Sequence, residues 1–207
     1  MSGIFGGMVS STAVTIAVGR IAGTSPERSS SALQASILAG SMSYFRVLIL
    51  VWVVNAGFVP LLWWKLTLLA LIGLALSVKV TNVQRTNNDG EVPGLQNPFE
   101  IRPAVGFALL FVLLTVITMF VRRSLGDSGI LALSAIVGVT DITPFILSIV
   151  HGTDATLKVL TMAVILATMS NTIAKGVYFV VLSRSIRSET VWRYGVWALL
   201  HIPLLFI

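Results

Sequence analysis

Few side chains in this sequence have the types and spacing to do chemistry, and Asp141 is the most telling. It stands within GDSGILALSAIVGVTDITPFILSI, an otherwise apolar run. A carboxylate in such a run is costly inside a bilayer, and residues of this kind usually face an interior cavity or a partner charge. Pro144 follows closely. It cannot donate a hydrogen bond to the carbonyl of Thr140, so it should bend or break the helix. The freed carbonyl, the Asp141 carboxylate and the hydroxyls of Thr140 and Thr143 make a set of hard oxygen donors. Hard oxygens suit magnesium-like or alkali cations rather than soft metals, which makes Asp141 the candidate metal ligand. The competing reading is a purely structural Asp141, paired with a basic residue to hold helices together.

Two basic residues could supply that partner. Arg46 lies near the middle of an apolar run, and Lys175 lies late in another, with Thr168, Asn171 and Thr172 nearby. Asn171 and Lys175 are neighbours on a helix face. Together with Asp141 they leave one excess positive charge within the apolar region. The same set could therefore hold an anionic or zwitterionic solute. His151 and His201 fall near the ends of apolar runs and read as structural. No zinc-ligand spacing, nucleophile elbow or phosphate-binding loop is present, so neither an enzyme nor an organic cofactor is expected. A bound metal cation is the one cofactor these residues could take.

Near the N-terminus the stretch GGMVSSTAVTIAVGR supplies the other polar groups. Gly3, Gly7, Ser11, Thr15 and Gly19 recur at steps of four, so on a helix they form one ridge of small residues. Such ridges let helices approach closely in lipid, where no hydrophobic force drives association. Ser10 and Thr12 lie off the ridge and face elsewhere. Ser10, Ser11 and Thr12, with Asn171, are candidate neutral oxygens for an ion site.

Long apolar elements must position these residues. Of the 207 residues, 56% are hydrophobic and only 11% are Asp, Glu, Lys or Arg, against about 25% charged in soluble domains. A hydrocarbon core needs about 20 apolar helical residues. Seven runs approach that length: Ser2–Gly19, Ala35–Val54, Leu61–Val80, Pro103–Val121, Ser128–Val150, Leu157–Leu182 and Thr190–Ile207. The first and last are short, so six to seven spans are expected. The fold class is an all-α polytopic transmembrane bundle in the lipid bilayer, and residues 1–207 form a single membrane domain. The net charge of +6 comes from basic residues scattered between apolar runs, which argues for loop anchors and against nucleic acid. Basic residues divide evenly between the two sides, so orientation is left open. There is no basic leader before the first apolar run, and no cleaved signal peptide is expected. Cysteine is absent, which excludes disulfides and thiolate metal sites.

The long polar connection, residues 81–102, ends in NPFEIRP. Asn97 can cap, Pro98 suits the first helical position and Glu100 sits three residues after the cap. With Arg102, these residues read as a capped entry into the next span. A faint repeat flanks this loop. Gly138–Thr143 can be laid on Gly7–Thr12, which sets Ser10 opposite Asp141, and Ala163–Ala167 on Ala35–Ala39. Residues 1–80 and 103–207 would then be two parallel repeats with broken helices. The first repeat lacks a counterpart of Pro103–Val121.

Four motifs occur in order: GGMVSSTAVTIAVGR, NPFEIRPAVGFALLF, GDSGILALSAIVGVTDITPFILSI and ILATMSNTIAKGVYF. In these the chain resembles the membrane domain of unknown function usually found C-terminal to an MgtC/SapB-like domain in bacterial and archaeal proteins. The resemblance covers nearly the whole chain. It implies a multi-pass protein of the prokaryotic plasma (inner) membrane, tied to magnesium homeostasis or ion transport, and working as a homodimer or with an MgtC-like partner. Two departures stand out. These 207 residues contain no MgtC-like portion. Many relatives carry a second acid two residues after the position of Asp141, where this chain has Thr143.

The expected function is therefore transport or conduction of a small inorganic ion, with a magnesium-like cation as first candidate. Asp141 would be ligand or charge relay, and Lys175 and Arg46 counter-charges. The rivals are an anion or zwitterion transporter and a non-transporting subunit that binds or regulates a partner.

Overall fold

A chain this apolar must satisfy its backbone hydrogen bonds internally, and helices do so within a single segment. The computed structural model describes residues 2–78, 101–152 and 155–207. Among them are seven α-helices: α1 (Ser2–Thr24), α2 (Ser29–Val54), α3 (Val59–Val78), α4 (Ile101–Val137), α5 (Thr143–Gly152), α6 (Leu157–Leu182) and α7 (Arg187–Leu199). Single 3₁₀ turns, Pro26–Arg28 and Ala56–Phe58, join α1 to α2 and α2 to α3. Connections this short make neighbours antiparallel, and α2 packs against both α1 and α3. A third 3₁₀ turn, Pro203–Leu205, follows α7.

Four of the described helical segments are long and apolar enough to cross a membrane: Pro26–Val54, Ala56–Val78, Ala108–Val137 and Leu157–Leu182. The expected six to seven spans exceed that number. Several of the expected runs are interrupted or short in the structure. In α1 the backbone leaves helical geometry at Ser10, with φ −157° and ψ 108°. In α4 a kink at Gly126, φ +63° and ψ −144°, separates residues 101–125 from 127–137. This left-handed conformation is open to glycine at little cost. The run Ser128–Val150 is then interrupted between Val137 and Thr143. The expected last span is a 13-residue helix followed by turns.

Pro103 lies in the first turn of α4, where a missing N–H costs nothing. Of the loop motif, Asn97 and Glu100 lie outside the described residues, as does the side chain of Arg102.

The core is apolar around α2, α3, α5 and α6, with Leu33, Ile37, Phe58, Leu66, Phe145 and Val164 fully buried. Polar bonds tie the C-terminal segment to it. The Trp197 indole donates to the Leu69 carbonyl at 2.9 Å, and Lys65 donates to the Leu204 carbonyl at 3.1 Å. His201 is buried, with Nδ1 2.8 Å from the Trp197 carbonyl and Nε2 3.0 Å from the Tyr44 hydroxyl. Tyr44 in turn meets the Thr172 hydroxyl at 2.8 Å. α7 is thus held to α2, α3 and α6 by groups that would otherwise be buried without partners.

Trp197 fits because glycines face it. A Cβ on Gly40 would lie 3.0 Å from its ring, and one on Gly73 would press on both the ring and Ser41. Gly73→Leu should lower thermal stability in detergent by about 1–3 kcal/mol through overpacking. Gly195→Ala, with open space around the new methyl, should leave the melting temperature unchanged or raise it. Equal melting temperatures for the two variants would show that α7 does not dock as described.

Candidate functional site

The interruption between α4 and α5 is built by residues 138–142. It strips the helix of its regular bonds and leaves carbonyl groups without intrahelical donors. α6 supplies the donors. The Asn171 amide donates to the carbonyls of Gly138 and Thr140, both at 2.9 Å. The Tyr178 hydroxyl donates to the Val139 carbonyl at 2.6 Å, and the Ser170 hydroxyl to the Ala135 carbonyl at 2.5 Å. Gly138 allows this approach, since a Cβ there would run into the backbone of Asn171 and the side chain of Ser170.

Asp141 sits in the break itself rather than within a helix. Its Oδ1 accepts from the Thr143 N–H at 2.9 Å, just ahead of the first turn of α5. The same oxygen accepts from Arg46 Nη2 of α2 at 3.3 Å, and that nitrogen also donates to the Thr143 hydroxyl at 3.0 Å. The ion pair is partly shielded, with side-chain exposures of 14% for Arg46 and 30% for Asp141. It ties the start of α5 to α2. Pro144 lies in the first turn of α5, where its ring is tolerated. The interruption precedes it.

Lys175 is 2% exposed. It shares a face of α6 with Asn171 and Tyr178, at steps of four and three residues, and both of those side chains bond the interruption. Among the described residues its ammonium has neither a hydrogen-bond acceptor nor an ion-pair partner. The site therefore joins Arg46 of α2 and Asn171 and Tyr178 of α6 to a broken helix, although the residues lie far apart in sequence.

The remaining candidates are distributed differently. Thr140 is exposed and its hydroxyl bonds the Val137 carbonyl at 3.2 Å. Ser10 caps the second part of α1, accepting from the Ala13 N–H at 3.3 Å. Thr12 is half-buried, and no contact joins either residue to Asp141. Ser11 and Thr15 are buried. The Ser36 hydroxyl donates to Thr15 Oγ1 at 2.9 Å and meets the Tyr194 hydroxyl at 2.7 Å, which links α1, α2 and α7. Gly19 lets α1 lie on α6, where a Cβ would sit 3.0 Å from Leu182. Gly3 and Gly7 belong to the helical backbone of α1, and their packing lies outside the described residues. The residues that motif reading missed are Tyr178 and Tyr44. The recurrence of polar residues 171, 175 and 178 along one face of an apolar helix was the available signal for Tyr178.

A family model described as a domain of unknown function, DUF4010, matches residues 1–183. The chain belongs to the DUF4010 family. The match takes in α1 through α6, and so every charged and hydrogen-bonding residue of the site, and ends before α7. Nothing in it indicates an MgtC/SapB-like neighbour. An uncharacterized protein of Aquifex aeolicus (strain VF5) is 28% identical over 189 residues, which is 87% of this chain and 80% of that protein. No solved structure matches.

Asn171 is the group on which the break most depends. Asn171→Leu removes both amide donors and leaves two carbonyls unsatisfied, each at a cost of about 1–3 kcal/mol. Amide hydrogen exchange across residues 138–146 should accelerate in detergent-purified protein, while exchange in α3 stays as in the parent. Unchanged exchange at 138–146 would mean that α6 does not hold the interruption.

Proposed function

We propose that this DUF4010 chain is an integral membrane transporter or channel for a small inorganic ion, working in the plasma (inner) membrane of a prokaryote. The observation that carries this reading is the interruption at 138–142, with Asp141, Arg46 and Lys175 gathered beside it. Ionisable groups at membrane depth are expensive, and they usually mark ion or proton pathways. Irregular backbone at that depth is tolerated where protein buries it or where it lines a cavity. A protein that needed only a stable bundle could replace both features with apolar helix.

The second interruption supports the same reading. α1 departs from helical geometry at Ser10, the position that the repeat alignment sets opposite Asp141. α1 packs on α6, and α5 packs on α2, so each broken element leans on a long helix of the other half. Two parallel repeats, 1–80 and 103–207, would give this pattern. Half-helices facing each other across repeats are a recurring way to expose and re-cover an ion site.

Purified protein in liposomes should carry ions down imposed gradients of magnesium, potassium or chloride salts faster than protein-free vesicles. Lys175→Met and Arg46→Met, each purified as a monodisperse species, should reduce that flux by about tenfold or more, as expected when an interior charge on the path is lost. Flux indistinguishable from empty vesicles for all these salts would remove the transport reading.

A further inference from the structure

We infer that the pocket at the starts of α3 and α6 holds the headgroup of an anionic phospholipid, its phosphate drawn in by Lys65 and Lys158. The pocket measures about 390 Å³, and Trp64, Lys65, Lys158, Thr161 and Phe206 are among its lining residues. Small-molecule sites commonly span about 300–1,000 Å³. It shares no lining residue with the interruption between α4 and α5, and binding there does not depend on ion transport. Two of the segments long enough to cross a membrane, Ala56–Val78 and Leu157–Leu182, both begin beside it. The pocket therefore lies where two spans leave the hydrocarbon and headgroups begin. Basic pockets between spanning helices are a recurring way to hold anionic headgroups.

The lining sets both the charge and the kind of guest. Lys65 is buried, and its ammonium donates to the Leu204 carbonyl at 3.1 Å. An ammonium carries further donors beyond that one. The same nitrogen lies over the Trp64 ring, 5.5 Å from its centroid, which helps to fix it at the pocket wall. Lys158 stands exposed in the first turn of α6, where the helix dipole also favours negative charge. Among the described residues neither lysine pairs with a carboxylate, and no acidic side chain lines the pocket. A zwitterionic headgroup would bring a cation of its own to two lysines, whereas an anionic one complements them. The rim favours a lipid over a free anion. Leu61 and Phe206 also line the pocket, at 38% and 78% exposure, and offer apolar surface to acyl chains. Half-buried Trp64 beside two lysines is a pairing typical of the membrane–water boundary.

Native mass spectrometry of the full chain in detergent, titrated with phosphatidylglycerol or with phosphatidylcholine, counts the lipid that stays bound. Phosphatidylglycerol should be retained in preference to phosphatidylcholine. Lys158→Gln should weaken that retention by about fivefold, the weight of one basic residue against an anionic lipid. Lys158→Arg should keep it. Lys65→Met should weaken it at least as much as Lys158→Gln; if that variant is not monodisperse, the Lys158 pair decides. Arg184→Gln removes the same charge just beyond the other end of α6 and should leave retention unchanged. Sodium phosphate at the concentration of the lipid should not displace it. Equal retention of the two lipids, undiminished retention in Lys158→Gln, or an equal loss in Arg184→Gln would each overturn the site. Displacement by sodium phosphate would also overturn it, in favour of a soluble anion.

Discussion

A helix that breaks must find new partners for its backbone. Residues 138–142 form such a break, and two side chains of α6, Asn171 and Tyr178, take up its carbonyls, while Ser170 bonds the Ala135 carbonyl in the last turns of α4. A carbonyl left without a donor away from water would cost more than most packing contacts return. The placement of α6, the closeness allowed by Gly138 and the course of α4 into α5 all follow from that requirement. The break also frees Asp141 from helical geometry, so its carboxylate can hold the Thr143 amide and meet Arg46.

Charge is distributed around the break in an ordered way. Arg46 bridges Asp141 and Thr143, and so fastens α5 to α2. Lys175 lies on the α6 face that carries Asn171 and Tyr178. A structural ion pair alone would account for Arg46 and Asp141. It does not account for the burial of Lys175.

The hydroxyl groups elsewhere in the chain serve the bundle. Thr15, Ser36 and Tyr194 bond in sequence across α1, α2 and α7, and Tyr44 joins Thr172 to His201. Ser11, Thr15 and Gly19 face inward, where close approach of helices gives dispersion contacts that lipid cannot supply better. From Ser11 onward the stretch is small and hydroxylated on the face that α1 turns to α2 and α6. Ser10 differs, since it marks the point where α1 itself breaks.

Much of this could be read in the residues themselves. Apolar run length implied helices, and an isolated Asp141 followed by Pro144 pointed to a disturbed span. These are local properties, set by hydrophobic transfer and by the backbone chemistry of glycine and proline. Span number was less legible, because run length does not reveal an interruption at Ser10 or at 138–142. The partners were not legible at all. That Arg46 meets Asp141 across 95 residues, and that the Asn171 amide donates to the carbonyls of a broken helix, are consequences of which helix faces pack together. Periodicity can say that two residues share a face. Only the packed bundle decides what that face meets, because each contact depends on every helix finding donors, acceptors and space at once.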